Sequence, residues 1–284
     1  PLVSSSIFIE PLNPVYNYGD QINVLTTIVP STSASGHYTV DLKCGTNFTS
    51  NIYNSFLNLQ ANVERPVTIT TELLNPLLYN LTGPCLLSAS FSNEFVDSNS
   101  FLLSKEIIVS SEIETDNLNP GSTLTVRGNA VKESVVNGFA EIFIPSLNLY
   151  KSALVVNGVF NISIVLPPDS KSGEHNFTIE IHNTDYASRK INFGTGDGLF
   201  SIKQVLKEIK IVSDSQTIKP ESEFKFKVDA LDQAGDLITN EISISVNKPR
   251  GIPFIKKVIK AGEEQKINFA LNETPGYWSI EASL

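Results

Sequence analysis

Apolar and polar residues alternate in short runs along the whole chain, and the same run recurs at three places. It reads Gly19-Asp20-Gln21-Ile22-Asn23-Val24, then Gly121-Ser122-Thr123-Leu124-Thr125-Val126, then Glu221-Ser222-Glu223-Phe224-Lys225-Phe226. The starts lie about 100 residues apart, which marks tandem domains, since solenoid repeats are only about 20–50 residues long. Each start is followed by a second alternating run: Gly36–Leu42, Gly138–Ile144 and Ile242–Val246. A third run ends in leucine: Val67-x-Ile69-x-Thr71-x-Leu73, Phe160-x-Ile162-x-Ile164-x-Leu166 and Ile267-x-Phe269-x-Leu271. A turn glycine (Gly83, Gly173, Gly276) then opens a further strand. Alternation with a period of two puts one face of each strand in a core and the other in water.

Each unit holds about seven such runs with turn signals between them, the pattern of an immunoglobulin-like β-sandwich. The predicted fold is all-β: three tandem sandwiches over residues 1–104, 105–203 and 204–284, the third lacking its last strand. The first two copies close with Phe101-x-Leu103 and Phe200-x-Ile202, whereas the third runs from Gly276 to Leu284 with no residues left for a seventh strand. Two readings follow: the remainder belongs to a longer polypeptide, or a neighbouring subunit fills the open edge. Residues 101–113 contain no Gly or Pro, which predicts a stiff first joint, and the glycines at 194, 196 and 198 are expected in a hairpin loop before the last strand of the second unit. Residues 205–212 are expected as a strand despite helical propensity, and residues 56–59 as a short helical turn.

Both cysteines fall in the first unit, Cys44 at the end of its third strand and Cys85 at the start of its sixth. Those strands are antiparallel neighbours in a sandwich, so the thiols should meet as a disulfide, which implies an oxidising, extracytoplasmic setting. The chain opens on Pro1 rather than Met, which suggests removal of a leader, and no apolar run reaches the length of a membrane span. Sequons stand at Asn47, Asn80, Asn161, Asn176 and Asn272. Composition alone yields about that many, but Asn80 and Asn272 fall in predicted turns, and Asn161 and Asn176 take the solvent phase of their strands.

A net charge of −9 without a basic cluster argues against nucleic acid as a partner. No catalytic motif stands out, and no cofactor is expected. His175 and His182, seven apart on one strand, point to opposite faces. Asp232 and Asp236 around Gly235, with Asp229 nearby, form an acidic run that suits either a weak calcium loop or a polar hairpin turn. Trp278, aligned with Cys85 and His175, suits a packing role.

Several words carry a family resemblance: Asn119-Pro120-Gly121-x-x-Leu124-x-Val126-x-Gly128, Gly158-x-Phe160 through Leu166-Pro167, Ser172-Gly173-Glu174-His175 and Pro275-Gly276-Tyr277-Trp278. Pro220-x-x-x-Phe224 and Asp232-Gln233-Ala234-Gly235-Asp236 share their style. Together they resemble tandem immunoglobulin-like, macroglobulin-type domains of archaeal cell-surface and surface-layer proteins. The resemblance implies a non-catalytic extracellular glycoprotein, a building block of a surface layer, stalk or filament, that associates with itself or with other envelope proteins. An adhesin or carbohydrate-binding module, or the accessory region of a larger secreted enzyme, is the alternative.

Overall fold

The computed structural model describes residues 5–78 and 81–284. Its strands fall into three sets, each forming two sheets that face each other across one core. The first set comprises β1 (Ser5–Ile9), β2 (Val15–Asn17), β3 (Gln21–Pro30), β4 (Ala34–Cys44), β5 (Phe48–Leu59), β6 (Arg65–Glu72), β7 (Gly83–Phe91), β8 (Glu94–Asp97) and β9 (Phe101–Ser104). One sheet runs β1-β3-β6 and the other β2-β9-β7-β4-β5, with β8 beside β7. A one-turn helix, α1 (Asn75–Leu78), precedes β7.

The second set repeats this plan. It comprises β10 (Ile108–Ile113), β11 (Asn117–Leu118), β12 (Thr123–Val131), β13 (Gly138–Ile144), β14 (Leu149–Val155), β15 (Val159–Val165), β16 (Gly173–Thr184) and β17 (Lys190–Ile202). Its sheets run β10-β12-β15 and β11-β17-β16-β13-β14. The third set comprises β18 (Leu206–Ser213), β19 (Glu223–Asp232), β20 (Glu241–Lys248), β21 (Ile252–Lys260), β22 (Glu264–Asn268) and β23 (Ser279–Ser283). Its sheets run β18-β19-β22 and β21-β20-β23. The chain is therefore three immunoglobulin-like sandwiches, and in the third the place beside β23 that β9 and β17 take in the others has no strand among the described residues.

The alternation does what the pattern predicts. Ile22, Val24 and Ile28 on β3, Leu124 and Val126 on β12, and Phe224, Phe226 and Val228 on β19 are all buried, while the residues in the alternate phase face outward. Burying such side chains contributes about 1.5–3 kcal/mol each. Thr26 keeps the inward phase of β3 by donating its hydroxyl to the Val67 carbonyl at 3.1 Å.

Two local expectations are corrected. Residues 56–59 belong to β5, where His37 stands opposite Phe56 and Ala34 opposite Leu59; pairing with β4 overrides the leucine-rich helical propensity. Gly194, Gly196 and Gly198 lie inside β17 and form no hairpin loop. Close approach explains them: a Cβ at Gly194 would stand 1.9 Å from the Ile107 carbonyl oxygen, and one at Gly198 2.4 Å from the Phe177 ring.

Cys44 and Cys85 stand directly opposite each other on β4 and β7 and form a disulfide with a sequence separation of 41. A loop of that size constrains the unfolded chain by about 4 kcal/mol. The Cys44→Ala/Cys85→Ala double variant is therefore expected to lose about that much stability in the first domain alone. Hydrogen exchange read separately for the three cores checks this; equal loss in all three contradicts it.

Candidate functional site: the two domain joints

The first joint begins where β9 ends. The backbone of the connecting residues pairs at once with β17: Ile107 donates to the Phe193 carbonyl at 3.0 Å, and Phe193 donates to the Lys105 carbonyl at 2.9 Å. Ile191 leaves its own domain and joins the core of the first. Tyr18 is fully buried there; its hydroxyl donates to the Leu81 carbonyl at 2.5 Å, and the Lys105 ammonium lies 4.5 Å from its ring centre. Burial pushes the Tyr18 hydroxyl up to about 12.

Around this contact the polar groups of one domain are satisfied by the other. Lys132, just past β12, places its ammonium 2.6 Å from Asp20 Oδ1, with the two side chains only 3% and 7% exposed. The same oxygen accepts from Ser134 at 2.5 Å, while Asp20 Oδ2 accepts the Asn17 N–H at 2.8 Å. Asn192, fully buried, donates to the Tyr18 carbonyl at 2.7 Å. Asn17 donates to the Glu106 carbonyl at 3.1 Å and accepts from the Glu133 N–H at 3.4 Å.

The second joint uses the corresponding turn of the third domain. Gln233 is buried, its amide oxygen accepts the Val205 N–H at 2.9 Å, and its amide nitrogen donates to the carbonyls of Ser170 at 3.0 Å and Lys203 at 3.1 Å. Asp232, fully buried, accepts on Oδ1 the N–H groups of Ala234 and Asp236, both at 2.9 Å. Its Oδ2 accepts from Gln204 at 3.0 Å and from Ser172 at 3.3 Å. Burial pushes the Asp232 carboxyl up, but the hydrogen bonds from Gln204, the Asp236 and Ala234 backbone and Ser172 outweigh it and hold the group below the usual carboxylate range. Asp236, the other acidic residue of this run, faces Lys171 of the second domain at 3.7 Å. Asp229 pairs with Lys227 at 3.0 Å.

Lys132 and Asp232 occupy equivalent positions in the repeat. Each follows an inward-facing series along its strand, Leu124-Val126-Gly128-Ala130 and Phe224-Phe226-Val228-Ala230. A charged residue in the core phase of a strand is the one signal in the sequence that points to the joints.

The histidines have separate fates. His175 is buried between the Ser146 hydroxyl at 2.7 Å and the Lys171 carbonyl at 2.8 Å. His182 lies on the opposite face of β16 beside Glu180 and across from β13, where Glu141 pairs with Glu180. The ligand atoms of Glu141, Glu180 and His182 lie within 4.8 Å of one another. Lys190, however, sits 2.5 Å from Glu180 and 3.5 Å from Glu141, so an ammonium already offsets one of the two carboxylate charges. Burial, then Lys190, lower the His182 pKa against the pull of the glutamates. Sequence reading missed this group because strand register brings it together. Among the sequons, Asn47 and Asn272 lie exposed in turns, and Asn161 and Asn176 lie on exposed strand positions; Asn80 falls outside the described residues. No described helix is long and apolar enough to cross a membrane.

No family model and no curated protein matches the chain. Among solved structures it is similar to an α2-macroglobulin from Salmonella (mutant Y1175G), at 10% identity and a TM-score of 0.28 over 100% of this chain and 22% of that one. It is also similar to a β-glucosidase from Listeria innocua, at 16% identity and a TM-score of 0.30 over 36% of this chain and 16% of that one. The chain thus spans less than a quarter of the length of either.

Lys132→Ala is expected to destabilise the chain by about 3 kcal/mol, because it strands a buried carboxylate, whereas Lys132→Met with Asp20→Asn should cost much less. Denaturant unfolding of Lys132→Ala and of the Lys132→Met/Asp20→Asn double variant checks this. At the second joint the sign follows from the lowered Asp232 pKa. Its contribution is complete above the unfolded value of about 3.9 and is lost as pH falls through the folded value. Protection of the Val205 N–H, corrected for intrinsic exchange, should therefore fall below about pH 4 and be flat across that range in Asp232→Asn.

Proposed function

We propose that this chain is a non-catalytic structural segment of an extracellular protein, three sandwiches held at set angles within a cell-surface layer, stalk or filament. The observation that carries this reading is the chemistry of the joints. Buried Asp20, Asn192, Asp232 and Gln233 each make hydrogen bonds across a domain boundary or with the connecting segment. Breaking one such contact exposes the chain to the cost of an unpaired buried group, about 1–3 kcal/mol for a neutral one and more for a charge. Domain motion is the default between tandem domains, so this degree of fixation suits a part whose task is to hold distance and direction.

The compartment follows from the chemistry of the first domain. A disulfide persists in oxidising surroundings, which favours a secreted or surface location. Sequons at exposed Asn47, Asn161, Asn176 and Asn272 suit a glycosylated surface, and net acidity suits a layer bathed in cations.

The test is fractionation of native cells with an antibody to this chain, combined with small-angle scattering of the purified chain. Recovery in the envelope fraction, with a scattering profile that changes on Lys132→Ala, is the expected result. A strictly monomeric protein found away from the envelope would overturn the reading.

A further inference from the structure

The outer face of the second domain's larger sheet carries a cluster that takes no part in the joints. Glu141 on β13 stands opposite Glu180 on β16, and Phe139 opposite His182. Glu180 and His182 are two apart on β16, so their side chains leave the sheet on the same face as Glu141. Phe193 of β17 stands opposite His182 from the other side. The Phe139 and His182 ring centres are 5.7 Å apart, and His182 is only 5% exposed although it takes the outward phase of its strand.

This burial leaves one atom of the imidazole without a partner. His182 Nδ1 is shut off from water and makes no hydrogen bond. It stands 3.7 Å from Glu180 Oε1 and 4.0 Å from Glu141 Oε2, too far for a hydrogen bond to either. Buried polar atoms are rarely left so, because an unpaired one is costly. Lys190 does not supply the partner. Its ammonium lies against the same two carboxylate oxygens, at 2.5 and 3.5 Å, and offsets only one of their two charges. Among the described residues this is the one place where three metal-ligating side chains converge. Ligands of a tetrahedral zinc ion with bonds of 2.0–2.1 Å stand about 3.3 Å apart, so Nδ1 and each carboxylate have less than about 1 Å to close.

We propose that Glu141, Glu180 and His182 bind a divalent cation of the zinc class, which takes the place held by the Lys190 ammonium. One imidazole nitrogen with two carboxylate oxygens suits zinc, whereas calcium and magnesium favour oxygen ligands alone. The charges balance as well: two carboxylates and a divalent ion sum to zero, and Lys190, half-exposed, is free to turn into solvent. The half-exposed Glu180 gives the ion a way in, and three protein ligands leave a fourth position for water. Ligands carried on paired strands hold their spacing better than ligands on loops. The ion would clip β13 to β16 on the face away from the core. This inference rests on the side-chain geometry of the second domain and does not depend on the structural role proposed above.

The probe is zinc chloride, titrated into the full chain after dialysis against a chelator and followed by calorimetry and by amide chemical shifts. One ion per chain with a micromolar Kd is expected, with shift changes centred on residues 139–141 and 180–182. Glu180→Gln should weaken binding about tenfold or more. Lys190→Ala, which removes the competing ammonium, should tighten it about tenfold. Both side chains are half-exposed, and unchanged amide shifts in the cores would show that the variants are folded. No saturable binding at submillimolar zinc, shifts centred elsewhere, or a Kd unchanged in both variants would overturn the proposal. Equal affinity for calcium would also overturn it, because the imidazole would then contribute nothing.

Discussion

A charged or amide side chain removed from water has to meet its partner in a fixed place, and at both joints that place lies across the domain boundary. Asp20 has Lys132 and Ser134 from the second domain; Gln233 has Ser170 and Lys203 from the same domain. Such contacts add little net stability, since desolvation consumes most of the Coulomb gain. Their value is directional. An apolar joint of the same area tolerates sliding and rolling, whereas a buried carboxylate with every lone pair engaged tolerates one arrangement. Angle between domains is thereby set by hydrogen-bond geometry.

The connecting backbone reinforces that constraint. Between β9 and β10 the chain has no slack, because Lys105 and Ile107 already bond to Phe193 of the next domain. This proximity is possible only because Gly194 offers no side chain where the Ile107 carbonyl passes. Ile191, two residues before Phe193, is pulled into the first core by the same geometry. One stretch of β17 therefore serves three ends at once: it closes the second sandwich, receives the incoming chain and plugs the first domain.

The fold was legible in the sequence because period-two alternation and the repeat carry the same information at two scales. The disulfide followed from that, since strand order alone brings Cys44 and Cys85 opposite each other. What stayed hidden depended on a neighbour. Glycines at 194, 196 and 198 read locally as a loop, and only the approach of Ile107 and the Phe177 ring explains them in a strand. Residues 56–59 have helical propensity that pairing with β4 overrides. Asp232 and Asp236 read as a turn or a calcium loop because carboxylates around a glycine suit both; their partners Ser172, Gln204 and Lys171 come from the second domain and its connection. Glu141, Glu180, His182 and Lys190 are assembled by sheet register from positions far apart in the chain.

The repeat uses one position for two opposite chemistries. At the end of β12 and of β19 stand Lys132 in one domain and Asp232 in the next, each with its side chain buried and turned toward the domain before it. The preceding domain answers accordingly, with the Asp20 carboxylate in the first case and the Ser172 hydroxyl in the second, where the Gln204 amide of the connection joins it. Exchange of the two would set an ammonium against Gln204 and Ser172 and a carboxylate against Asp20. Two like charges in a dry contact cannot both remain ionised without large cost. The order of the sandwiches along the chain is thus encoded at their joints as well as by their covalent connection, and a module of the same fold with the wrong charge at this position would not seat on its neighbour.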